Sequence, residues 1–174
     1  IIDGWDRTEI NTQLLNICRT NNIKYFKREC LFTDEIVKPI SFAFPEEKTP
    51  YINPLRVRSH TIAPLIPVNQ SIDPSYMSTY IYNDEESYYK MYQDSYFALT
   101  SKKGGWDTLR HYEIIANGCI PIFVDIENCP KHTLWNFPKE LCKKANFLTG
   151  SHINLTNGQK WVPGMVLPHC GVTN

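Results

Sequence analysis

The chain has 174 residues with 18 Lys+Arg against 18 Asp+Glu, so its formal net charge is zero. That length supports one domain with a hydrophobic core, and the charge balance argues against a duplex-DNA binder, which carries a basic face. No apolar run approaches the roughly 18 residues of a membrane span, and no secretory leader is visible.

The chain opens on "IID" rather than on Met, which reads as the end of a buried strand in an excised piece of a longer protein. "TEINTQLLNICRTNN" follows as a helix, because Ile10, Leu14, Ile17 and Cys18 recur at helical spacing and Asn21-Asn22 supply a stop. "IKYFKRE" is the next strand, and strand, helix, strand in quick succession is the signature of an α/β unit. Residues 30–78 form a Pro-rich loop region, with one short strand expected at "ISFAF". "NDEESYYKMYQDS" predicts a helix opened by Asn83 or Asp84, with Glu85 and Glu86 in its first turn and Tyr88, Tyr89 and Tyr92 as packing residues. "YFALT" is then a strand, "SKKGGW" a loop, "DTLRHYEIIAN" a helix stopped by Gly118, and "CIPIFV" another strand. A last helix falls near "PKELCKKA". The expected architecture is therefore a single α/β domain over residues 1–174, a Rossmann-like, mostly parallel sheet flanked by helices.

Six cysteines, Cys18, Cys30, Cys119, Cys129, Cys142 and Cys170, include no Cys-x-x-Cys pair. They read as buried thiols of a reducing, cytoplasmic compartment rather than as disulfide staples. His169-Cys170 has no second pair at zinc-ligand spacing, and His60, His111, His132 and His152 form no recognisable triad.

The informative detail is Arg110. With Asp107 as N-cap, Arg110 falls in the first turn of a helix, where the partial positive charge makes a cation unfavourable. A bound anion reverses that sign. Gly104 and Gly105 let the backbone approach a phosphate, and Lys102 and Lys103 add charge at a loop beyond the carboxyl end of a strand. Glu113, one turn after Arg110, is either the partner of a surface ion pair or an acceptor for ribose hydroxyls.

The segment "YFALTSKKGGWDTLRHYEIIANGCIPIFVD" resembles the donor-binding segment of exostosin-like glycosyltransferases, in which a Gly-containing loop precedes an Arg-x-x-Glu helix and then Gly-Cys-Ile-Pro. "IKYFKRE", "SFAF" and "CPKHTLWNFPKEL" look like related sequences. The resemblance implies a GT-B-type fold, with this chain like its C-terminal donor domain and the acceptor half shortened or absent. It implies transfer of sugar from a nucleotide-sugar donor, with no further cofactor, to a glycan acceptor, and other domains of a longer protein as partners. Arg110 would contact the diphosphate, Glu113 the ribose, and Gly118 to Pro121 would support the site.

An inverting transferase needs a base for the acceptor hydroxyl, and Asp3 and Asp6 in "IIDGWD" are the candidates within the chain; either is equally readable as a turn or cap residue. Two alternatives stay open. Asp125 and Glu127 could hold a divalent metal in a GT-A-type transferase, against the expectation of no metal, or the chain could be a non-catalytic nucleotide- or glycan-binding domain.

Overall fold

The computed structural model describes residues 1–53, 55–64 and 82–148. Cys170, His152, His169 and much of the Pro-rich region lie outside the described residues.

Among the described residues the fold is α/β with every strand pairing parallel, but the strands divide between two three-stranded sheets instead of forming one. The first sheet has the order β1-β2-β3, with β1 at Ile2–Asp3, β2 at Tyr25–Lys27 and β3 at Val37–Pro39. Helix α1 (Thr12–Thr20) connects β1 to β2. The second sheet has the order β4-β5-β6, with β4 at His60–Ile62, β5 at Ser95–Ser101 and β6 at Ile120–Val124. Helix α2 (Glu85–Gln93) precedes β5, α3 (Leu109–Ala116) links β5 to β6, and α4 (Lys139–Leu148) follows β6. Pro39 sits at the end of an edge strand, where its missing N–H costs no ladder bond.

Local chemistry accounts for most boundaries. Asn11 caps α1 by accepting from the Leu14 N–H at 3.0 Å, and Asn22 leaves the helix at φ 52°. Asp84 caps α2 by accepting from the Ser87 N–H at 2.7 Å. Gly118 follows the last turn of α3 at φ 70°, a left-handed position that a side chain would strain. The N-cap of α3 is Thr108, one residue later than expected. Asp107 is withdrawn from the cap because it is buried and engaged elsewhere.

Three expectations are corrected. "IID" is not a buried strand: Ile2 is 77 % exposed, because β1 is an edge strand. The core stripe of α1 is Leu15 and Cys18, packed with Tyr25, Cys30 and Val37, while Leu14 and Ile17 face outward. "ISFAF" forms no strand. Its alternating apolar residues serve docking, since the Phe42 N–H donates to Asp107 Oδ2 at 3.3 Å and the Phe42 ring lies 4.7 Å from the Arg28 guanidinium carbon. The strands β3 and β4, three residues each at a sheet edge within the Pro-rich region, were not expected.

Both faces of β5 and β6 are covered, as a parallel sheet requires. One core gathers Ala63, Met91, Tyr92, Ala98, Ile114 and Cys119. The other gathers Trp106, Phe123, Ile126, Leu134, Phe137 and Cys142. Cys18, Cys30, Cys119 and Cys142 are buried free thiols and Cys129 is partly buried, which agrees with a packing role for the five described cysteines. Burial pushes the Cys119 and Cys142 thiols up to about 12, so both remain protonated and unreactive near neutrality.

Candidate functional site at the strand carboxyl ends

The loops leaving the carboxyl ends of β1, β2 and β5 meet. Arg28 and Glu29, which continue β2, are both almost fully buried and reach into the start of the α3 unit. The Glu29 carboxylate accepts from the Asp107 N–H at 2.9 Å, and Arg28 Nη1 donates to the Asp107 carbonyl. Arg28 also donates to the Gly4 carbonyl through Nε at 2.9 Å and Nη2 at 2.7 Å, and pairs with Asp6. One guanidinium thus ties the loop after β1 to the loop after β5. Burial raises the Asp107 carboxyl above the ordinary carboxylate value, with Tyr112, the Phe42 N–H and Arg28 acting against it.

The two loop glycines have a reason beyond ligand access. A Cβ on Gly105 would overlap Glu29 Oε1, and one on Gly104 would come within 2.9 Å of Asp6 Oδ2. The loop is therefore pressed against the first unit, and glycine is what permits the approach. Lys102 and Lys103 flank this contact on exposed backbone, with Lys102 Nζ 5.4 Å from the centre of the Trp106 ring.

Arg110 lies in the first turn of α3, as expected. Among the described residues no carboxylate comes within 4.0 Å of its guanidinium, and Nη1 is buried without a hydrogen-bond partner. Lys103 is close enough to feel it: burial, then the Arg110 charge, pulls the Lys103 ammonium below its ordinary value. Two cations thus lie near a helix N-terminus that has no side-chain cap, and among the described residues neither makes an ion pair, Glu113 acting on Arg110 only from beyond 4.0 Å.

Glu113 makes no ion pair with Arg110 at that distance. It accepts instead from the Tyr88 hydroxyl at 3.0 Å; the Tyr89 hydroxyl, also on α2, lies 3.5 Å away and has its one proton closer to Glu85, at 2.9 Å. Burial raises the Glu113 carboxyl, while the tyrosine hydroxyls and Arg110 act in the opposite direction. Tyr88 and Tyr92 pack as expected, their rings meeting edge to face at 5.1 Å.

The two candidate bases differ in setting. Asp3 is committed on every side: it accepts from the Tyr25 hydroxyl at 2.6 Å and the Trp5 N–H at 3.2 Å, and pairs with the fully buried Lys27 ammonium at 3.1 Å. Its carboxyl is held below the ordinary value; burial, the largest influence, raises it but is outweighed by these hydrogen bonds and the Lys27 charge together. Asp6 is half exposed, pairs through Oδ1 with Arg28, and turns Oδ2 toward Gly104 of the lysine-glycine loop. Two open clefts adjoin these residues. One of about 590 Å³ is lined by Asp3, Trp5, Arg7, Glu9 and Asn11, and the other by Gly4, Trp5, Asp6 and Arg28.

Asp125 and Glu127 each have a partner of their own. Asp125 adopts φ 66° and accepts from the Asn128 side-chain amide at 2.6 Å, while Glu127 lies 3.7 Å from Lys143 on α4. Among the described residues no group of three His, Cys, Asp or Glu side chains is arranged to hold a metal ion.

Sequence reasoning missed His111. It is fully buried, with Nδ1 3.0 Å from the Thr100 hydroxyl and Nε2 2.8 Å from the Trp106 carbonyl and 3.1 Å from the Thr108 hydroxyl. A carbonyl can only accept, so Nε2 carries the proton and Nδ1 accepts from Thr100. The ring therefore clamps the end of β5, the loop and the α3 N-cap together. Burial pushes it down to about 4, so the clamp is neutral near pH 7. Its one sequence signal was a threonine three residues before a histidine on a helix start, which is common and weak.

Comparisons with protein-family models, with curated proteins and with solved structures returned no match to this chain.

Proposed function

We propose that this chain is the nucleotide-sugar-binding part of a glycosyltransferase, exostosin-like in its donor segment, that transfers a sugar to a glycan acceptor. The observation that carries the reading is the unpaired Arg110 beside Lys103. Two cations at a helix N-terminus repel each other and the helix dipole, and a diphosphate relieves both costs. Arg110 then binds the diphosphate through charge-assisted hydrogen bonds, and Lys102 and Lys103 neutralise the rest of its charge. Glu113, steadied by the Tyr88 hydroxyl, is at hand one turn away to accept from ribose hydroxyls.

In the transfer step the acceptor oxygen forms a bond to the anomeric carbon as the bond from that carbon to the diphosphate breaks. The diphosphate leaves with the electron pair, and the cations at the α3 start stabilise its developing charge. The acceptor proton passes to a carboxylate, and Asp6 suits that role better than Asp3. Its Oδ2 is turned toward the donor loop, whereas both Asp3 oxygens are already engaged.

Titration calorimetry with uridine and guanosine diphosphates, with and without EDTA, tests the reading. Binding in EDTA that is weakened in Arg110→Ala is the expected result. Absence of binding by any nucleoside diphosphate overturns it, and binding abolished by EDTA moves the site to a metal-dependent arrangement at Asp125 and Glu127.

A further inference from the structure

The turn after β1 presents a tryptophan in an unusual way. Trp5 is 75 % exposed, yet the backbone on both sides of it is tied by hydrogen bonds and an ion pair. Its N–H donates to Asp3, which is itself locked by the buried Lys27 ammonium and the Tyr25 hydroxyl. The preceding Gly4 carbonyl takes two hydrogen bonds from Arg28, and the following Asp6 is paired to the same guanidinium. This framework holds the backbone that carries a ring contributing little to the core. Exposing an indole gains no folding energy, so a rigid mount for it reads as preorganisation for a ligand.

The surroundings define the ligand's chemistry. Trp5 lines both clefts, and the larger is otherwise lined by Asp3, Arg7, Glu9 and Asn11. The formal charge of Asp3 is balanced by Lys27, and Arg7 and Glu9 offset each other, so the rim carries no net charge that would select an ion. It does offer donors and acceptors together: the Arg7 guanidinium, the Glu9 carboxylate and the amide of Asn11, whose oxygen is used as the α1 cap. An aromatic face with a rim of mixed donors and acceptors matches a pyranose ring, whose C–H face is weakly positive and whose edge is all hydroxyls. The negative face of the indole attracts that C–H face, and the rim satisfies the hydroxyls.

We propose that the Trp5 turn is a binding platform for an uncharged pyranoside unit of a glycan. If the transferase reading holds, this is where the acceptor lies, because Asp6 joins the Trp5 turn on one side and touches Gly104 on the other. Only the role as acceptor rests on that reading; recognition of the sugar does not.

Saturation-transfer NMR with methyl β-glucoside, methyl β-galactoside, lactose and chitobiose tests it on the full chain, with Trp5→Ala and Trp5→Phe as variants and methyl β-glucuronide as the charged comparison. Because the ring is exposed, both variants fold, which melting curves check. At least one neutral probe is expected to show transfer on its C–H face, reduced about fivefold in Trp5→Ala and partly restored in Trp5→Phe. No transfer to any neutral probe, transfer undiminished in Trp5→Ala, or preference for the glucuronide overturns the proposal. Nucleotide binding without Trp5-dependent sugar binding sinks this inference and leaves the transferase reading standing. The reverse result keeps the platform and sinks the transferase.

Discussion

Acid should loosen the lysine-glycine loop through His111. The ring's ordinary value is 6.5 and the folded protein holds it at about 4, with burial as the chief cause. The folded state therefore resists a proton that the unfolded chain accepts. Its stabilising effect is complete above pH 6.5, falls as the pH drops from there toward 4, and declines no further below that. Two and a half pH units at about 1.4 kcal/mol each give a loss of about 3 kcal/mol, a large share of a typical domain's stability. Asp3 does not confuse this window, because the stability its depressed carboxyl contributes is present throughout it and is lost only as pH falls below the ordinary carboxylate range. Glu113 and Asp107, both raised, act with the opposite sign and gain stability as pH falls, so the total change is smaller than the His111 contribution. The comparison that isolates the histidine is urea unfolding of the native chain and of His111→Gln at pH 7.0 and 4.5. Glutamine offers a donor and an acceptor but cannot titrate, so its stability should change less over this interval, by about 2–3 kcal/mol. Equal pH dependence in the two proteins would refute the assignment of a neutral, buried clamp.

Other outcomes follow from the same geometry. Gly105→Ala should lower the melting temperature clearly, at a cost of about 1–3 kcal/mol, because its Cβ meets Glu29 where that carboxylate holds Asp107. Gly104→Ala should cost much less, since the exposed end of Asp6 can move aside; equal losses would contradict the interlock. Arg110→Ala should leave stability unchanged or slightly raised, while weakening nucleoside diphosphate binding by about 1.5–3 kcal/mol in calorimetry. Glu113→Ala should weaken nucleotide binding more than pyrophosphate binding, and equal losses for the two ligands would remove the ribose from its role.

The part of the fold legible in sequence is the part written in local chemistry. Asp84 and Gly118 mark helix ends by a side chain or the lack of one, α2, β5 and β6 fall where pattern and caps put them, and α3 starts one residue later than expected. What was illegible depended on contacts distant in the chain. "SFAF" has the alternation of a strand, but its apolar residues answer to Arg28 and Asp107 instead of a ladder partner. Asp107 has the chemistry of an N-cap, yet tertiary burial moved the cap to Thr108. The division into two sheets could not be read, because nothing in three-residue strands states which sheet they join. At the site, Arg110 announced itself as a cation against a helix dipole. The glycines of the same loop were legible as close-approach residues, but not that the thing approached was Glu29 and Asp6.

That interlock has a consequence for how the molecule is assembled. The hydrogen bond from the Asp107 N–H to Glu29 joins residues 78 positions apart, and the one from Arg28 to the Asp107 carbonyl joins residues 79 apart. Closing loops of that length costs entropy that local contacts do not repay, so such pairings form late. The second sheet can collapse around Phe123 and Ile114 while its lysine-glycine loop is still unshaped. The loop receives its final form only when the β2 extension docks. The shape of that loop is then a property of the finished molecule, acquired after its helices and strands and lost before them.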